Sequence, residues 1–102
     1  AYDEEAFAPL ACVMPYDDLE AAFSSVNASR FGLQAGIYAR DWRTIARAHE
    51  ALEVGGVIVN DVPSFRADPM PYGGAKASGL GREGLRYAME EMTERRVLVL
   101  DR

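Results

Sequence analysis

Three short apolar runs, separated by two amphipathic stretches, constrain the fold of this chain most. The runs are residues 10–14 (LACVM), 35–39 (AGIYA) and 57–60 (VIVN), and their lengths are typical of buried strands. Asp17 and Asp41 each precede a stretch whose apolar residues recur at helical spacing, so each is a predicted helix N-cap. Strand, helix, strand, helix and strand in this order predict crossover connections. We therefore expect an α/β fold with a mostly parallel sheet covered by helices.

The ends of both helices carry further signals. Glu20 follows Asp17 by three residues, which is the spacing of a capping box. Gly55 and Gly56 follow the second amphipathic stretch, and glycine ends helices readily because it adopts positive φ without a steric penalty. We expect both glycines to act in this way.

The remainder of the chain is less regular. Residues 61–81 contain three prolines and four glycines, a composition that predicts a long loop. A long loop inside a compact domain is usually either functional or a wrong assignment. A short helix is predicted from about residue 83 to residue 92. Val97–Leu100 is predicted to be a terminal strand that needs a partner strand and cover on both faces, because it is apolar throughout.

Charge and cysteine content exclude several classes of function. With 102 residues the chain forms one domain at most, and a formal net charge of -5 disfavours nucleic-acid partners. No apolar run is long enough to span a membrane. The single cysteine and the single histidine, Cys12 and His49, cannot form a disulfide within the chain or a credible metal site. We expect a cytoplasmic protein without metal, nucleic-acid or membrane partners.

The stretch GLGREG, residues 79–84, has the spacing of a dinucleotide-binding fingerprint. A true fingerprint directly follows a hydrophobic strand, because its glycines turn that strand sharply toward the phosphates. The preceding residues, MPYGGAKAS, do not predict such a strand. The glycines are therefore expected to shape a loop and the start of a helix, and not to bind pyrophosphate.

No complete catalytic set is found. Ser78 lacks the glycine that a nucleophile elbow requires two residues earlier, where Lys76 stands. Cys12 lies in a predicted buried strand, where a thiol behaves as a small apolar group. His49 falls on the flank of the second predicted helix. From the residues alone, we expect an α/β domain without an active site of its own.

The order of several motifs is more specific. They are EEAFAP at residues 4–9, FGLQAGIYARD at 31–41, GGVIVND at 55–61, MPYGGAKASGLGREG at 70–84 and MTE at 92–94. Together they resemble the C-terminal portion of an NAD(P)-dependent aldehyde dehydrogenase, in collinear order over nearly the whole chain. The resemblance implies that residues 1–94 are the end of the catalytic domain. It also implies that residues 95–102 form an oligomerisation strand, with self-association through residues 96–100.

The family oxidises aldehydes to acids through a thioester on a cysteine, with hydride transfer to the nicotinamide and a glutamate that activates water. The resemblance places those catalytic groups before Ala1, so this chain alone is not expected to be an enzyme. The alternative is a non-catalytic oligomerisation or interaction module, or a pseudoenzyme remnant of the same fold.

Two cofactor-binding residues follow from the resemblance to the family motif E-x-F-G-P. Glu5 matches the glutamate that bonds the hydroxyls of the nicotinamide ribose, and Phe7 matches the phenylalanine that packs beside the nicotinamide. The implied cofactor is NAD or NADP. Ala8 departs from the glycine of the motif.

The resemblance also implies substrate-binding residues. Phe65 and Tyr72 match the loop that lines the aldehyde tunnel, and Arg66 matches a branch of the family whose substrates have anionic or hydroxylated tails. A guanidinium binds phosphate or carboxylate through two parallel hydrogen bonds. The alternative for Arg66 is a structural ion pair with Asp61 or Asp68.

Overall fold

A computed structural model describes residues 3–101 of this chain. The first two residues of the predicted segment 1–94 and the last residue of segment 95–102 therefore lie outside the described residues. The described part contains helices and strands in the order α1 (Leu19–Asn27), β1 (Phe31–Gly32), β2 (Gln34–Ile37), α2 (Trp42–Ala51), β3 (Gly56–Val59), β4 (Ala75–Lys76) and α3 (Leu85–Glu91).

Helix α1 begins one residue later than predicted. Its N-cap is Asp18 and not Asp17, since the Asp18 carboxylate accepts a hydrogen bond of 2.8 Å from the amide of Ala21. Glu20 does not close a capping box in this arrangement. Its carboxylate instead accepts two hydrogen bonds from the Arg47 guanidinium of α2, which lowers the pKa of Glu20 and links the two helices.

Helix α2 confirms the prediction at its start and corrects it at its end. Asp41 is the N-cap, and its hydrogen bonds with Thr44 lower the pKa of the Asp41 carboxyl. The helix ends at Ala51, its C-cap Leu52 has an extended backbone, and neither Gly55 nor Gly56 has a positive φ. Gly55 instead permits a close backbone approach, since a Cβ there would lie 1.7 Å from the carbonyl oxygen of Gly73.

The strands form two separate pairs. β2 and β3 are parallel, with Ala35 opposite Val57, and α2 connects them, so the predicted crossover unit is confirmed. β1 and β4 are antiparallel, with Phe31 opposite Lys76. The expected α/β class is confirmed, but the mostly parallel sheet is not, because each sheet has two strands and only one sheet is parallel. β4 has two residues inside the proline- and glycine-rich stretch, too short for an alternating pattern to reveal.

Two predicted strands do not form within residues 3–101. Residues 10–14 are without regular structure and exposed, and Cys12 is exposed where burial was expected. Val97–Leu100 likewise makes no strand pairing in the described part of the chain, and its side chains are 80–85% exposed. An apolar run forms a strand only where another strand offers backbone partners, and no described strand lies beside either run.

The core of the described chain is small. Phe23 of α1 and Ala48 of α2 are its buried apolar side chains, with 5% and 0% of their surface exposed. Many large apolar side chains stay in contact with solvent, which an isolated soluble domain rarely tolerates as continuous patches. The exposed apolar side chains of this fold are therefore suited to packing against further protein surface.

Candidate cofactor and substrate sites

The segment with the predicted cofactor residues is open to ligands. Glu5 is exposed, the Phe7 ring is 91% exposed, and neither makes a hydrogen bond or ion pair within residues 3–101. The chain turns at Phe7, whose φ of 45° is in the left-handed region, and the amide of Leu10 then donates to the carbonyl oxygen of Ala8 at 2.7 Å. Because the left-handed residue is Phe7 and not Ala8, alanine fits at position 8.

Beside this segment lies an open hollow of about 980 Å³. Its wall includes Glu5, Ser29 shortly after α1, Phe31 of β1, Gln34 of β2, and Ser78. The hollow is open to solvent, and Phe7 is not among its described walls. An uncommitted carboxylate can accept hydrogen bonds from two hydroxyl groups, and an exposed ring can pack against a planar group.

The predicted substrate residues follow β3 in the chain. Asn60 has a φ of 58° and redirects the chain there, while its carboxamide exchanges two hydrogen bonds of 3.0 Å with the backbone of Ala39. Residues 61–66, called the 61–66 loop below, follow directly and include Phe65 and Arg66. The loop runs back toward the amino end of β2, where Gln34 contacts the backbone of Phe65.

The 61–66 loop is fastened to β2 by two residues that share one face of that strand. The Gln34 side-chain nitrogen donates to the carbonyl oxygens of Pro63, at 2.8 Å, and Phe65, at 3.0 Å. Gly36 allows close contact, since a Cβ there would lie 2.9 Å from the carbonyl oxygen of Asp61. The backbone of the loop is therefore held against the sheet.

Arg66 contacts neither of the partners considered from the sequence. Its guanidinium donates to the Glu83 carboxylate at 2.8 Å, and its central carbon lies 4.7 Å from the centroid of the Tyr72 ring. The expected alternative, an ion pair with Asp61 or Asp68, is wrong. The side chains of Arg66 and Glu83 are 51% and 64% exposed, so solvent screens their ion pair and the pair contributes little to stability.

Glu83 is brought to this position by the backbone. Tyr72 and Glu83 form an antiparallel bridge with hydrogen bonds of 3.1 and 2.6 Å between their amides and carbonyl oxygens. The structure therefore brings Arg66 and Tyr72 together, and Phe65 is the residue before Arg66. The hollow lined by Glu5 does not include Phe65, Arg66 or Tyr72 among its described walls.

Sequence reasoning missed Gln34 and Glu83. Gln34 occupies an ordinary strand position, and its partners are 29 and 31 residues further along the chain. Glu83 is separated from Arg66 by 17 residues. The one available signal is that Glu83 belongs to the GLGREG stretch, whose spacing indicates phosphate binding and carries no information on side-chain pairing.

The glycines of GLGREG shape the backbone as expected. Gly79, Gly81 and Gly84 have φ values of 148°, 70° and 114°, and Gly84 is the N-cap of α3. The preceding strand, β4, ends at Lys76, and a turn follows it, so no strand runs directly into the motif. The arrangement of a dinucleotide fingerprint is absent from this part of the structure.

Within residues 3–101, no group of three or more histidine, cysteine, aspartate or glutamate side chains is arranged to hold a metal ion. No helix in the same range has the length and apolar character to cross a membrane.

The parallel β2–α2–β3 unit, followed in the chain by the cluster of Arg66, Tyr72 and Glu83, defines a segment of an α/β protein. The Aldehyde dehydrogenase family matches this chain over residues 1–98, and the chain belongs to that family. The resemblance identified from the motifs is thereby confirmed.

Curated relatives agree with this assignment. The 3-sulfolactaldehyde dehydrogenase of Priestia aryabhattai is 48% identical over 98 residues, which cover 96% of this chain and 20% of that protein. The lactaldehyde dehydrogenase of Methanococcus maripaludis (strain C5) is 44% identical over 96 residues, or 94% of this chain and 21% of that protein. The chain spans about a fifth of the length of the curated relatives it matches.

Solved structures share the fold. Aldehyde dehydrogenase 21 from Physcomitrella patens, in complex with the reaction product succinate, is 48% identical with a TM-score of 0.79, over 83% of this chain and 18% of that one. Glyceraldehyde-3-phosphate dehydrogenase GapN from Methanocaldococcus jannaschii, complexed with NADP, is 47% identical with a TM-score of 0.70, over 74% and 16%. An aldehyde dehydrogenase from Bacillus cereus, in an NAD+ complex, is 36% identical with a TM-score of 0.84, over 90% and 18%.

Proposed function

We propose that this chain is the C-terminal part of an NAD(P)-dependent aldehyde dehydrogenase of the cytoplasm, which oxidises an aldehyde to a carboxylic acid through a cysteine thioester. The observation that carries the proposal is the family match over residues 1–98, together with relatives that are about five times longer. The nucleophilic cysteine lies outside this chain. Covalent capture of the aldehyde divides one difficult oxidation into two easier steps.

The exposed apolar surface supports a role inside a larger protein. Phe7, Leu80 and Leu85 are 91%, 100% and 79% exposed. Covering such side chains contributes about 1.5–3 kcal/mol each, so further protein surface would be strongly favoured to pack against them. In the proposed arrangement residues 1–94 complete a catalytic domain and residues 95–102 leave it as an arm.

The cofactor is NAD or NADP, which supplies the acceptor for the hydride. Glu5 binds the hydroxyl groups of the nicotinamide ribose, and Phe7 packs beside the nicotinamide ring. Their exposure and lack of partners within residues 3–101 support these roles, because both groups can contact a ligand without breaking an existing interaction. The role of this chain is thus to orient the reactive end of the cofactor.

The substrate is an aldehyde with an anionic or hydroxylated tail. Phe65 and Tyr72 line its path, and Arg66 binds the anionic group. The guanidinium of Arg66 has five N–H donors, and one nitrogen donates to Glu83 within the described residues. The remaining N–H groups can donate to a carboxylate, sulfonate or phosphate. Two similar proteins support an anionic substrate, since one is named 3-sulfolactaldehyde dehydrogenase and the structure of another contains the reaction product succinate.

The proposed activity is tested on the full-length protein that carries this sequence. We expect it to reduce NAD or NADP when supplied with sulfolactaldehyde, succinate semialdehyde or lactaldehyde, with one acid formed per cofactor reduced. The chain of 102 residues alone is the control, and we expect neither reduction nor cofactor binding from it. A full-length protein that lacks a nucleophilic cysteine and reduces no cofactor would support the non-catalytic alternative.

Residues 96–100 are proposed to mediate self-association by adding a strand to a sheet of a neighbouring subunit. Their apolar side chains are 80–85% exposed and have no strand partner within residues 3–101, which leaves their backbone free for such pairing.

Replacing both Leu98 and Leu100 by aspartate should dissociate the full-length oligomer. Each leucine that becomes buried in the subunit interface contributes about 1.5–3 kcal/mol to the free energy of association. The association constant should therefore fall by roughly 10- to 100-fold per substitution. Sedimentation velocity over a range of concentrations measures the change. Asp101→Ala, next to the segment, is the control, and an unchanged assembly in the Leu98 and Leu100 variant would contradict the proposal.

A further inference from the structure

The contact between Gln34 and the 61–66 loop is unusual in its geometry. One carboxamide nitrogen donates to two carbonyl oxygens, those of Pro63 and Phe65, at 2.8 and 3.0 Å. Side chains of other types rarely match this pattern, because it needs two N–H groups on a single atom that carries no charge. The two acceptors flank Ser64, so the contact holds the backbone on both sides of one residue.

The other end of the carboxamide shows what this contact costs. The side-chain oxygen of Gln34 is buried and has no hydrogen-bond donor within the described residues. Turning the amide over would place that oxygen against two carbonyl oxygens and repel both. The observed orientation therefore keeps both hydrogen bonds from the side-chain nitrogen to the loop, and it leaves the buried side-chain oxygen without a donor within the described residues.

The surroundings leave room for the carboxamide. A Cβ on Gly56 would lie 2.9 Å from the Gln34 side-chain oxygen, so a residue larger than glycine at the start of β3 would displace the amide. Gly36, two residues along β2, lets the backbone of the loop approach the strand at Asp61. Both glycines and Gln34 thus serve the same contact between the sheet and the 61–66 loop.

We propose that Gln34 is a positioning residue for the aldehyde, because its carboxamide fixes the backbone that presents Phe65 and Arg66. This inference rests on the proposed function, in which those two side chains contact the substrate. Gln34 itself does not touch the substrate. Freeing the loop would let the Phe65 ring and the Arg66 guanidinium move away from their binding positions, and small displacements of binding groups weaken catalysis strongly.

Two substitutions of Gln34 in the full-length enzyme test the role. Gln34→Leu keeps the approximate size and removes both N–H groups, and Gln34→Glu directs carboxylate oxygens at the two carbonyls. We expect kcat/KM for anionic aldehydes to fall by about 10-fold in Gln34→Leu and further in Gln34→Glu, chiefly through KM. The KM for NAD(P) should change less than the KM for the aldehyde. Gln34 also lines the hollow beside Glu5, but the nitrogen that the substitutions remove faces the 61–66 loop.

Gly56→Ala disturbs the same contact independently, because the added Cβ would displace the Gln34 carboxamide. We expect this variant also to have a raised KM for anionic aldehydes. Ser64→Ala is the matched control, because Ser64 lies on the loop, is exposed and makes no hydrogen bond within residues 3–101. Hydrogen exchange provides a readout that does not depend on activity. Amides of the 61–66 loop should exchange faster in the Gln34 variants, while those of β3 should not.

The outcomes separate this inference from the proposed function. Faster exchange confined to the loop, with a raised KM for anionic aldehydes, supports it. Unchanged loop exchange overturns it, and so does a loss that is equal for aldehydes and NAD(P) or that extends to exchange in β3. If the wild-type protein oxidises no aldehyde, the proposed function fails, and the positioning role of Gln34 fails with it, whatever the exchange shows.

Discussion

Replacing Glu5 by alanine in the full-length protein is expected to lower kcat/KM for NAD(P) by about 100-fold. The carboxylate is proposed to accept hydrogen bonds from two ribose hydroxyl groups, and each hydrogen bond to a charged group contributes about 1.5–3 kcal/mol. In the variant, water can form hydrogen bonds with the ribose hydroxyl groups and so offsets part of the lost binding free energy. Because Glu5 has no partner within residues 3–101, its removal breaks no described contact and should leave the fold intact.

Glu4 provides the matched control for this experiment. It is the same residue type, adjacent in sequence and also exposed, but it matches no cofactor role in the family motif. Glu4→Ala should therefore keep kcat/KM for NAD(P) within about 2-fold of wild type, as is usual for surface positions. Steady-state kinetics with the aldehyde at saturation measure both variants. An equal loss in the two would mean that general negative charge matters and that Glu5 has no specific role.

Arg66→Ala is the second change with a large expected effect. It should lower kcat/KM for anionic aldehydes by roughly 10- to 100-fold, the equivalent of one charge-assisted hydrogen bond of about 1.5–3 kcal/mol. Neutral aldehydes of similar size should be affected by less than about 3-fold, because they gain nothing from the guanidinium. The assay compares succinate semialdehyde with butanal in both proteins.

The partner of Arg66 makes this test sharper. Glu83→Gln removes the carboxylate that Arg66 now binds and keeps the size of the side chain. An unpaired guanidinium should bind an anionic tail at least as well, so KM for the anionic aldehyde should not rise. Arg40→Ala, an exposed arginine without a described partner, controls for net charge. Equal losses on charged and neutral aldehydes in Arg66→Ala would leave Arg66 with a structural role only.

The sequence predicted those parts of the fold that depend on neighbours along the chain. Asp41 caps α2 because its carboxylate reaches amides two and three residues ahead, a distance the local sequence defines. The parallel β2–α2–β3 unit follows from two apolar runs and one amphipathic stretch. At α1 the same reasoning placed the cap at Asp17 instead of Asp18, since adjacent aspartates offer the same signal.

Predictions failed where a segment needed a distant partner. Residues 10–14 and 97–100 are apolar enough for strands, yet within residues 3–101 no strand lies beside them, and apolar character alone does not supply backbone partners. The antiparallel β1–β4 pair went unrecognised for the opposite reason. Its strands have two residues each, so they carry no periodicity, and they join parts of the chain that are far apart.

The candidate sites divide in the same way. Glu5, Phe7, Phe65, Arg66 and Tyr72 could be named from motifs, because a motif preserves residue type and order. The contacts of Gln34 with the 61–66 loop and of Glu83 with Arg66 could not, since they join residues 29, 31 and 17 positions apart. The sequence by itself determined the cap of α2, the crossover unit and family membership, all of which are expressed in residues close together or in fixed order. Only the tertiary structure decided which carboxylate meets Arg66 and which side chain holds the loop, because those pairings depend on the path of the backbone through space.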